Sequence, residues 1–454
     1  MEEPRTHHFE QQNPNIWDRL LFYVNPWDGR YEDVLKDNVP LNIFRDLAAG
    51  FIVALVAIPL AMGFAIASGL RPEQGIVGGA LAAIIGALWG GSKYQVYGPT
   101  AAFIPIIAAM VSSHGQEFMI LASICSGLIV MILGLARLGR FVQLVPDSIV
   151  VGFTIGIACV IVVTQMDQIL GVKEMVAGKS VLEKIGLAWK HADLINPYTI
   201  TLAIGTFLIA KMCQKISPFI PGPVIALGVS LIVSSTIWAD KGIVHLKDKY
   251  GSMPTNFFVF TPPAAMQWDL SFLSDLSYYV LAIVFVAAIE SLLSSRMADR
   301  LANNSGVPFN PNKELWGQGW VNVIIPMLNG FPHTGALART ATNIKVGAQS
   351  PLAGVFKCVI KLSLAAFLAS YLEIIPLASI GGIMLYVAVN MVKPAEVSLV
   401  LAEGKRETAF LAYTALAVLL TDFLTGVSSA LVLYTIVRFA PRPGMTFTTQ
   451  QISK

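Results

Sequence analysis

The sequence contains little charge. Asp, Glu, Lys and Arg make up 13% of its 454 residues, whereas soluble globular domains contain roughly 25%. The net charge of +3 is small and scattered, which argues against a protein that binds nucleic acid. A chain with so few charges is expected to expose much of its surface to lipid rather than to water.

Cysteine and histidine are also scarce, and their spacing excludes the common redox and metal sites. Four cysteines lie within or at the ends of apolar segments without a C-x-x-C pair, and six histidines form no metal-ligand cluster. The cysteines are therefore expected to be small core residues. The motifs G-x-S-x-G and H-E-x-x-H and the Walker loop are missing as well. We predict that the chain is not an enzyme, has no cofactor and is not driven by ATP.

Long apolar runs are what the sequence has in abundance. Hydrophobic residues make up 55% of the chain, and runs of about 20 of them, long enough to cross a bilayer as helices, recur along it. No signal peptide is expected before them. The predicted divisions are a cytoplasmic lead-in at 1–47, a first transmembrane repeat at 48–239, an extracellular or periplasmic connecting loop at 240–276, a second transmembrane repeat at 277–440 and a cytoplasmic tail at 441–454.

Each repeat divides into seven segments, and the third segment of each is interrupted. The interruptions are Tyr94–Pro105 (YQVYGPTAAFIP) and Asn329–Pro351 (NGFPHTGALARTATNIKVGAQSP). In both, glycine and proline follow β-prone or irregular residues and precede small residues at which a helix is predicted to begin. In the second interruption, the predicted helix begins at about Ala336. Matching interruptions in two halves indicate inverted repeats with a binding site near the middle of the bilayer. The predicted fold is an all-α membrane protein of fourteen segments, arranged as 7+7 inverted repeats with two half-helices and short β-strands.

The starts of the two half-helices are expected to face each other and to attract an anion. Free N–H groups and the positive ends of helix dipoles favour negative ligands there. Arg339 lies one turn into the second half-helix and would contact the anion or supply positive field beside it. Thr100 and Ala101 open the first half-helix, where a hydroxyl and small side chains suit a close approach. The alternative for Arg339 is a side chain that reaches the inner surface or pairs with Glu290 only to hold the fold. The alternative for the small residues is a role in packing alone.

Glu290 is a carboxyl group inside an apolar span, LAIVFVAAIESLLSS, with Ser294 one turn later on the same face. Ionisable residues inside spans are functional candidates, because a buried carboxylate must be protonated or paired. A proton on Glu290, or a sodium ion between it and nearby hydroxyls and carbonyls, would suit ion coupling. The alternative is a structural carboxylate that is hydrogen-bonded to the opened backbone of the 330s. His333 is more typical of a satisfied loop histidine than of a proton carrier.

These stretches resemble the SulP anion permeases, the bacterial branch of the solute carrier 26 family. The matching stretches, in order across residues 48–440, are AGFIVALVAIPLAMGFAIASGLRPEQGIVGG, YGPTAAF, GLARLGRFVQLVPDSIVVGFTIG, AIESLLSS, NKELWGQGWVN and GALARTATNIKVGAQSP. The resemblance implies fourteen segments in the UraA-like arrangement, divided into core and gate domains, and a homodimer. It also implies a C-terminal regulatory STAS domain, which this sequence, ending at Lys454, is expected to lack.

The resemblance also assigns site residues position by position. It implies that Arg339 is the site arginine, with Ala338 and Thr340 beside it, and that Phe64 is the aromatic residue of the first span. A polar residue that the family often has after the first-span proline is Leu60 here, so that contact is expected to be missing. Glu290 and Ser294 match the coupling-ion positions. The backbone groups that would join them belong to Gly335, Ala336 and Leu337.

We therefore expect a secondary active transporter of a small anion, sulfate or bicarbonate, that works by an elevator-type motion. Glutamate with serine resembles the proton-coupled branch, so proton symport is the first expectation and sodium symport the second. The Lys/Arg distribution in short loops predicts cytoplasmic termini, here in a bacterial inner membrane. The alternatives are an uncoupled anion channel or exchanger, a dicarboxylate carrier, or a nucleobase carrier of the same fold, which should have polar acceptors in place of Arg339.

Overall fold

In a computed structural model of the chain, the structure describes residues 21–439 except 37, 141–144, 173–180, 218, 255, 264–268 and 305. The first twenty residues of the predicted lead-in and the whole predicted tail at 441–454 lie outside the described residues. Within the described part, the chain is a mostly helical, multi-pass membrane protein, and six of its helices are long and apolar enough to cross a bilayer.

The first half of the chain contains the helices α1 to α9 and one short strand. In order they are α1 (Val39–Ala67), α2 (Pro72–Trp89), β1 (Tyr97–Gly98), α3 (Ile104–Leu135), α4 (Asp147–Thr164), α5 (Met166–Leu170), α6 (Val181–Lys190), α7 (Pro197–Ile216), α8 (Gly222–Ser235) and α9 (Leu246–Tyr250). A 3-10 helix, Ala101–Phe103, separates β1 from α3. The strand and the 3-10 helix lie in the first predicted interruption.

The second half repeats this alternation of long helices with one short strand. In order its elements are α10 (Leu270–Leu301), α11 (Pro311–Met327), β2 (Thr334–Gly335), α12 (Leu337–Val346), α13 (Leu352–Phe367), α14 (Ala369–Glu373), α15 (Leu377–Met391), α16 (Pro394–Glu403), α17 (Lys405–Leu420) and α18 (Phe423–Phe439). The helix predicted from about Ala336 begins at Leu337, directly after β2.

Polar caps set the starts of several helices and explain where the predicted boundaries differ. The side chain of Asn38 accepts a hydrogen bond from the N–H of Leu41, so α1 begins inside the segment predicted as the lead-in, which ends at residue 47. Asp269 caps α10 in the same way, so this helix begins before the predicted start at residue 277. The sequence prediction placed each boundary at the strongly apolar residues, whereas the caps extend the helices beyond them.

The helix α3 joins two predicted segments at a glycine. Gly115 has φ 83° and ψ 176°, a conformation in the left-handed half of backbone space that favours glycine. The helix therefore changes direction at Gly115, a short distance after the first predicted interruption, which ends at Pro105.

The long helices pack into two groups, and each group takes helices from both halves. We call α1–α3 and α10–α13 the first helix group, and α4, α7, α8, α15, α17 and α18 the second helix group. Within the first, α3 packs on α10 and α11, and α13 packs on α1 and α2; within the second, α17 packs on α4, and α15 on α7. The helix α1 contacts α8 and α15 and so joins the groups. At that contact, a Cβ atom at Gly63 would lie 2.9 Å from the sulfur of Met384.

The four cysteines are free thiols in different surroundings. Cys358 is buried, Cys125 and Cys213 are half-buried, and Cys159 is exposed. The expectation of small core residues is correct for Cys358 and wrong for Cys159, because α4 turns that side chain away from its neighbours. Its apolar segment belongs to a helix with one outward face.

Candidate functional site

The two interrupted segments meet through their short strands. The strands β1 and β2 pair antiparallel, with Tyr97 opposite Gly335. One residue further along, the N–H of Ala336 donates to the carbonyl oxygen of Val96 at 2.9 Å. The pairing satisfies backbone groups that would otherwise be unpaired inside the protein, and it brings the starts of the following helices together.

Both helix starts lack a capping side chain. Thr100 precedes the 3-10 helix and Ala336 precedes α12, and neither donates or accepts a side-chain cap bond. Among the described residues, no acceptor lies within hydrogen-bond distance of the N–H groups of Ala101, Leu337 and Ala338. The side chain of Ala338 is exposed. First-turn N–H groups that are open in this way are available to a ligand.

Arg339 reaches from α12 to the turn that follows β1. The residue is 4% exposed, and its Nη2 donates to the carbonyl oxygen of Pro99. Nη1 is buried and has no hydrogen-bond partner among the described residues. In that part of the chain, no carboxylate oxygen lies within 4 Å of the guanidinium group. The side chain does not reach the surface, and it attracts Glu290 from a distance of more than 4 Å.

Glu290 lies on α10, where its carboxyl group interacts with the nearby hydroxyl of Thr100 and with the charge of Arg339, although the Thr100 contact does not meet the geometry of a hydrogen bond. The side chain is half-buried, and its buried Oε2 has no hydrogen-bond partner among the described residues. The same holds for the hydroxyl oxygen of Thr100, which is 8% exposed. Thr100, Glu290 and Arg339 therefore each contribute an unpartnered polar atom near the paired strands. Buried polar atoms without partners are rare in folded proteins and indicate a site for a ligand or an ion.

Ser294 and Thr340 form hydrogen bonds that link the elements around the candidate site. The hydroxyl oxygen of Thr340 accepts from the N–H of Val96 at 3.0 Å and from the hydroxyl of Ser294 at 3.5 Å. Thr340 is fully buried, and Ser294 is 2% exposed. These bonds connect α10 and α12 to the start of β1, so in this structure both hydroxyls are directed to the frame of the site.

The remaining predicted site residues differ in exposure. Phe64 on α1 and Ala101 are buried in the main apolar core. Gly335 lies in β2, and Leu337, the first residue of α12, is half-buried. Leu60, one turn before Phe64, is a partly buried apolar residue packed on the same core.

A buried carboxylate that the sequence reading did not select, Glu314 on α11, anchors the segment before β1. Its oxygens accept from the N–H of Gly91 at 2.8 Å, from the hydroxyl of Ser291 at 2.6 Å and from the hydroxyl of Tyr97. The carboxylate is fully buried. Several donors to one carboxylate make strong, directional bonds, so Glu314 fixes the strand that precedes the first half-helix.

Two lysines on α13 are also functional candidates that the sequence reading passed over. Lys357 and Lys361 are 1% and 0% exposed. The ammonium group of Lys357 donates to the carbonyl oxygen of Tyr97 at 2.7 Å, and that of Lys361 to the carbonyl oxygen of Gly75 at 3.3 Å. The signal that could have found them is the one that selected Glu290, a charge inside an apolar span.

The ring of His333 does not have the partners that were expected of a satisfied loop histidine. Its backbone is held by Asn322, which accepts from the N–H at 3.0 Å, and by Gln318, which donates to the carbonyl oxygen at 2.6 Å. The ring is fully buried, and both of its nitrogens lack partners among the described residues. The segment is thus held by its main chain rather than by the imidazole.

The described residues contain no group of three or more His, Cys, Asp or Glu side chains that could hold a metal ion. A sodium ion near Glu290 would instead need one carboxylate together with hydroxyl and backbone carbonyl oxygens, which are the hard ligands that such cations prefer.

Comparison with known proteins gives consistent matches over most of the chain. The profile of the Sulfate permease family matches residues 43–414. YvdB of Bacillus subtilis, named as a candidate sulfate transporter, is 36% identical over 389 residues, which cover 86% of this chain and 72% of YvdB. The bicarbonate transporter BicA of a Picosynechococcus species is 27% identical over 361 residues, which cover 77% of this chain and 62% of BicA.

Solved structures match the fold. The transmembrane domain of a cyanobacterial bicarbonate transporter BicA superimposes with a TM-score of 0.74 at 25% identity, covering 85% of this chain and 97% of that one. The structure of SLC26A9 superimposes with a TM-score of 0.79 at 16% identity, covering 96% of this chain and 71% of that one. At that low identity, the second match shows the fold alone.

Proposed function

We propose, because the chain belongs to the sulfate permease family, that it is a secondary active transporter of a small oxyanion of the sulfate or bicarbonate class. The observation that carries the proposal is the meeting of two uncapped helix starts beside the unpartnered atoms Thr100 Oγ1, Glu290 Oε2 and Arg339 Nη1. Open N–H donors, two helix dipoles and a permanent cation all favour an anion at one place. The relatives named for sulfate and bicarbonate transport supply the class of anion.

The chain's own groups would hold the anion as follows. Its oxygens accept from the N–H groups of Leu337 and Ala338 and from the hydroxyl of Thr100, three donors that lack a hydrogen-bond partner among the described residues. Arg339 Nη1 donates directly or adds positive potential beside the anion. The small side chains of Ala101 and Ala338 let the anion approach the backbone, and Phe64 edges the site.

Glu290 would couple anion binding to a cation. A negative carboxylate near the site repels an anion, and a proton on Glu290, or a sodium ion beside it, removes that repulsion. Anion and cation then each increase the affinity for the other, which is the condition for symport. Proton coupling is our first proposal. Sodium coupling, with Ser294 and the backbone groups of Gly335, Ala336 and Leu337 as further ligands, is the second.

Transport would occur by an elevator motion of the first helix group against the second. In this proposal the fourteen segments form 7+7 inverted repeats, the first helix group is the core domain, and the second is the gate domain. The apolar contact between Gly63 and Met384 at the boundary supports a sliding interface. The protein would be a homodimer in the bacterial inner membrane with both termini in the cytoplasm.

Reconstituted protein tests this proposal. Liposomes that contain the purified chain are given labelled sulfate, bicarbonate, fumarate or uracil, with an imposed proton gradient, a sodium gradient or neither. Concentrative uptake of sulfate or bicarbonate under one of the gradients is expected. Anion currents far above carrier turnover rates, with no dependence on a gradient, would instead identify a channel. Uptake of uracil alone would identify a nucleobase carrier.

A further inference from the structure

Two buried lysines of this protein, Lys93 and Lys313, have a carboxylate partner. The ammonium group of Lys93 is paired with Asp33, and that of Lys313 with Asp28 at 2.6 Å. Such pairing is the rule, because an isolated charge loses its hydration when it is buried. The described residues place no carboxylate within 4 Å of Lys357 or Lys361, and each ammonium group makes a single hydrogen bond to a carbonyl oxygen.

These two lysines lie behind the turn that separates β1 from the first half-helix. Lys357 donates to the carbonyl oxygen of Tyr97, and Arg339 to that of Pro99. The ammonium group of Lys361 also lies beside this turn, since a Cβ atom at Gly79 would be 2.6 Å from Lys361 Nζ and 2.9 Å from Pro99 Cδ. Three basic side chains of the second half thus surround one turn of the first half.

The charges around this turn do not balance. When both lysines are protonated, Arg339, Lys357 and Lys361 are three basic groups around the turn, and the one carboxyl group that interacts with any of them is Glu290, through Arg339, among the described residues. The other titratable groups that the described part of the chain places near them are the ring of His333 and the thiol of Cys358. A ligand with two negative charges would therefore supply more of the missing counter-charge than a monoanion would. A purely structural role, in which the lysines tie α13 to the turn, would leave the charge of the ligand irrelevant.

We infer that Lys357 and Lys361 are positioning residues that set the preference of the anion site for divalent over monovalent anions. They act through the Tyr97–Pro99 turn and through their own charge, without contact with the anion. This inference rests on the proposed function, because it concerns the ligand of the same site. The Coulomb energy between a fixed charge and a ligand is proportional to the charge of the ligand. Removing one lysine should therefore lower the logarithm of the affinity about twice as much for a dianion as for a monoanion.

The test compares dianions and monoanions on the intact chain. Lys361→Met is the first variant because the single 3.3 Å bond of Lys361 is weaker than that of Lys357, and Lys361→Gln and Lys357→Met follow. Affinities for sulfate, selenate, bicarbonate and nitrate are measured from ligand-induced shifts of thermal unfolding of the purified protein and, for the transported anions, from uptake. A tenfold loss for a monoanion is expected to accompany roughly a hundredfold loss for a dianion. The wild-type values supply the baseline for each anion.

Lys313→Met is the matched control, because it removes a buried lysine whose charge Asp28 already balances. It should change all four affinities by a similar factor. Equal losses for dianions and monoanions in the Lys361 variants, or no loss, would overturn the inference. So would failure to recover any of the three variants at Lys357 and Lys361 in folded form, since residues that folding requires are structural. If the wild type transports none of the anions, the proposed function fails instead.

Discussion

Replacing Gly98 with alanine should displace the site arginine without removing its charge. A Cβ atom at Gly98 would lie 2.5 Å from Arg339 Nη1 and 3.1 Å from Cζ. Ordinary contacts between such atoms are about 3.5–4.0 Å, so the guanidinium group must move by about 1 Å. That movement strains or breaks the hydrogen bond from Nη2 to the carbonyl oxygen of Pro99. The residues of the turn include no carboxylate that could bind the displaced guanidinium group.

The expected size of the effect follows from the interactions that are lost. A hydrogen bond that involves a charged group contributes about 1.5–3 kcal/mol, and 1.4 kcal/mol corresponds to roughly tenfold in affinity. The apparent affinity for the transported anion should therefore fall roughly tenfold to a hundredfold. Overpacking of a tight site should also destabilise the protein by about 1–3 kcal/mol.

Two measurements separate this mechanism from a general disturbance. Gly205→Ala on α7 is the control, since nothing lies within 4 Å of a Cβ atom there, and it should leave uptake unchanged. In an Arg339→Ala background, the clash partner is gone, so Gly98→Ala should no longer lower the thermal unfolding midpoint. An equal decrease of the thermal unfolding midpoint in both backgrounds would refute the reasoning. So would an apparent anion affinity of Gly98→Ala that equals that of the wild type.

Three further predictions concern the same machinery. Glu290→Gln should abolish concentrative uptake under an ion gradient while anion exchange between the two sides continues, and normal accumulation in liposomes would exclude a coupling role. Arg339→Ala should weaken the apparent anion affinity by about tenfold or more at an unchanged amount of protein in the membrane; an unaltered concentration dependence of uptake would remove this residue from the site. Tyr278→Phe removes the hydroxyl that bonds to Asp422, a contact between α10 of the first helix group and the α17–α18 connection. It should change the turnover rate more than the affinity, and a shift in affinity alone would argue against a contact that restrains the motion.

The order of the long helices and the two interruptions could be predicted from sequence, because hydrophobic run length and Gly-Pro punctuation are local signals. The prediction of helix ends was less accurate. Asn38 and Asp269 cap α1 and α10 several residues before their apolar stretches begin. A single polar cap residue changes the mean hydropathy of a stretch of sequence very little, so the start of the helix is not visible there.

The sequence alone indicates some residues of the candidate site, and their role in it stays a prediction. Arg339, Glu290 and Thr100 are indicated because a charge in a span, or a hydroxyl at a helix start, is unusual on its own. Their lack of partners could not be predicted, because it depends on which distant groups approach them. Lys357 and Lys361 show the opposite case, since the sequence displays them plainly inside an apolar span, and only the structure shows that none of the described carboxylates lies beside them.

The pairing of the two strands also has a consequence for biosynthesis. The bond from the N–H of Val96 to Thr340 joins residues that are 244 positions apart. At about 5–20 residues per second, a ribosome needs roughly 12–50 seconds to travel from one to the other. During that interval the first half is already leaving the ribosome with an unfinished pocket. A polypeptide released before Thr334 would lack β2 and α12, so β1 would have no strand to pair with.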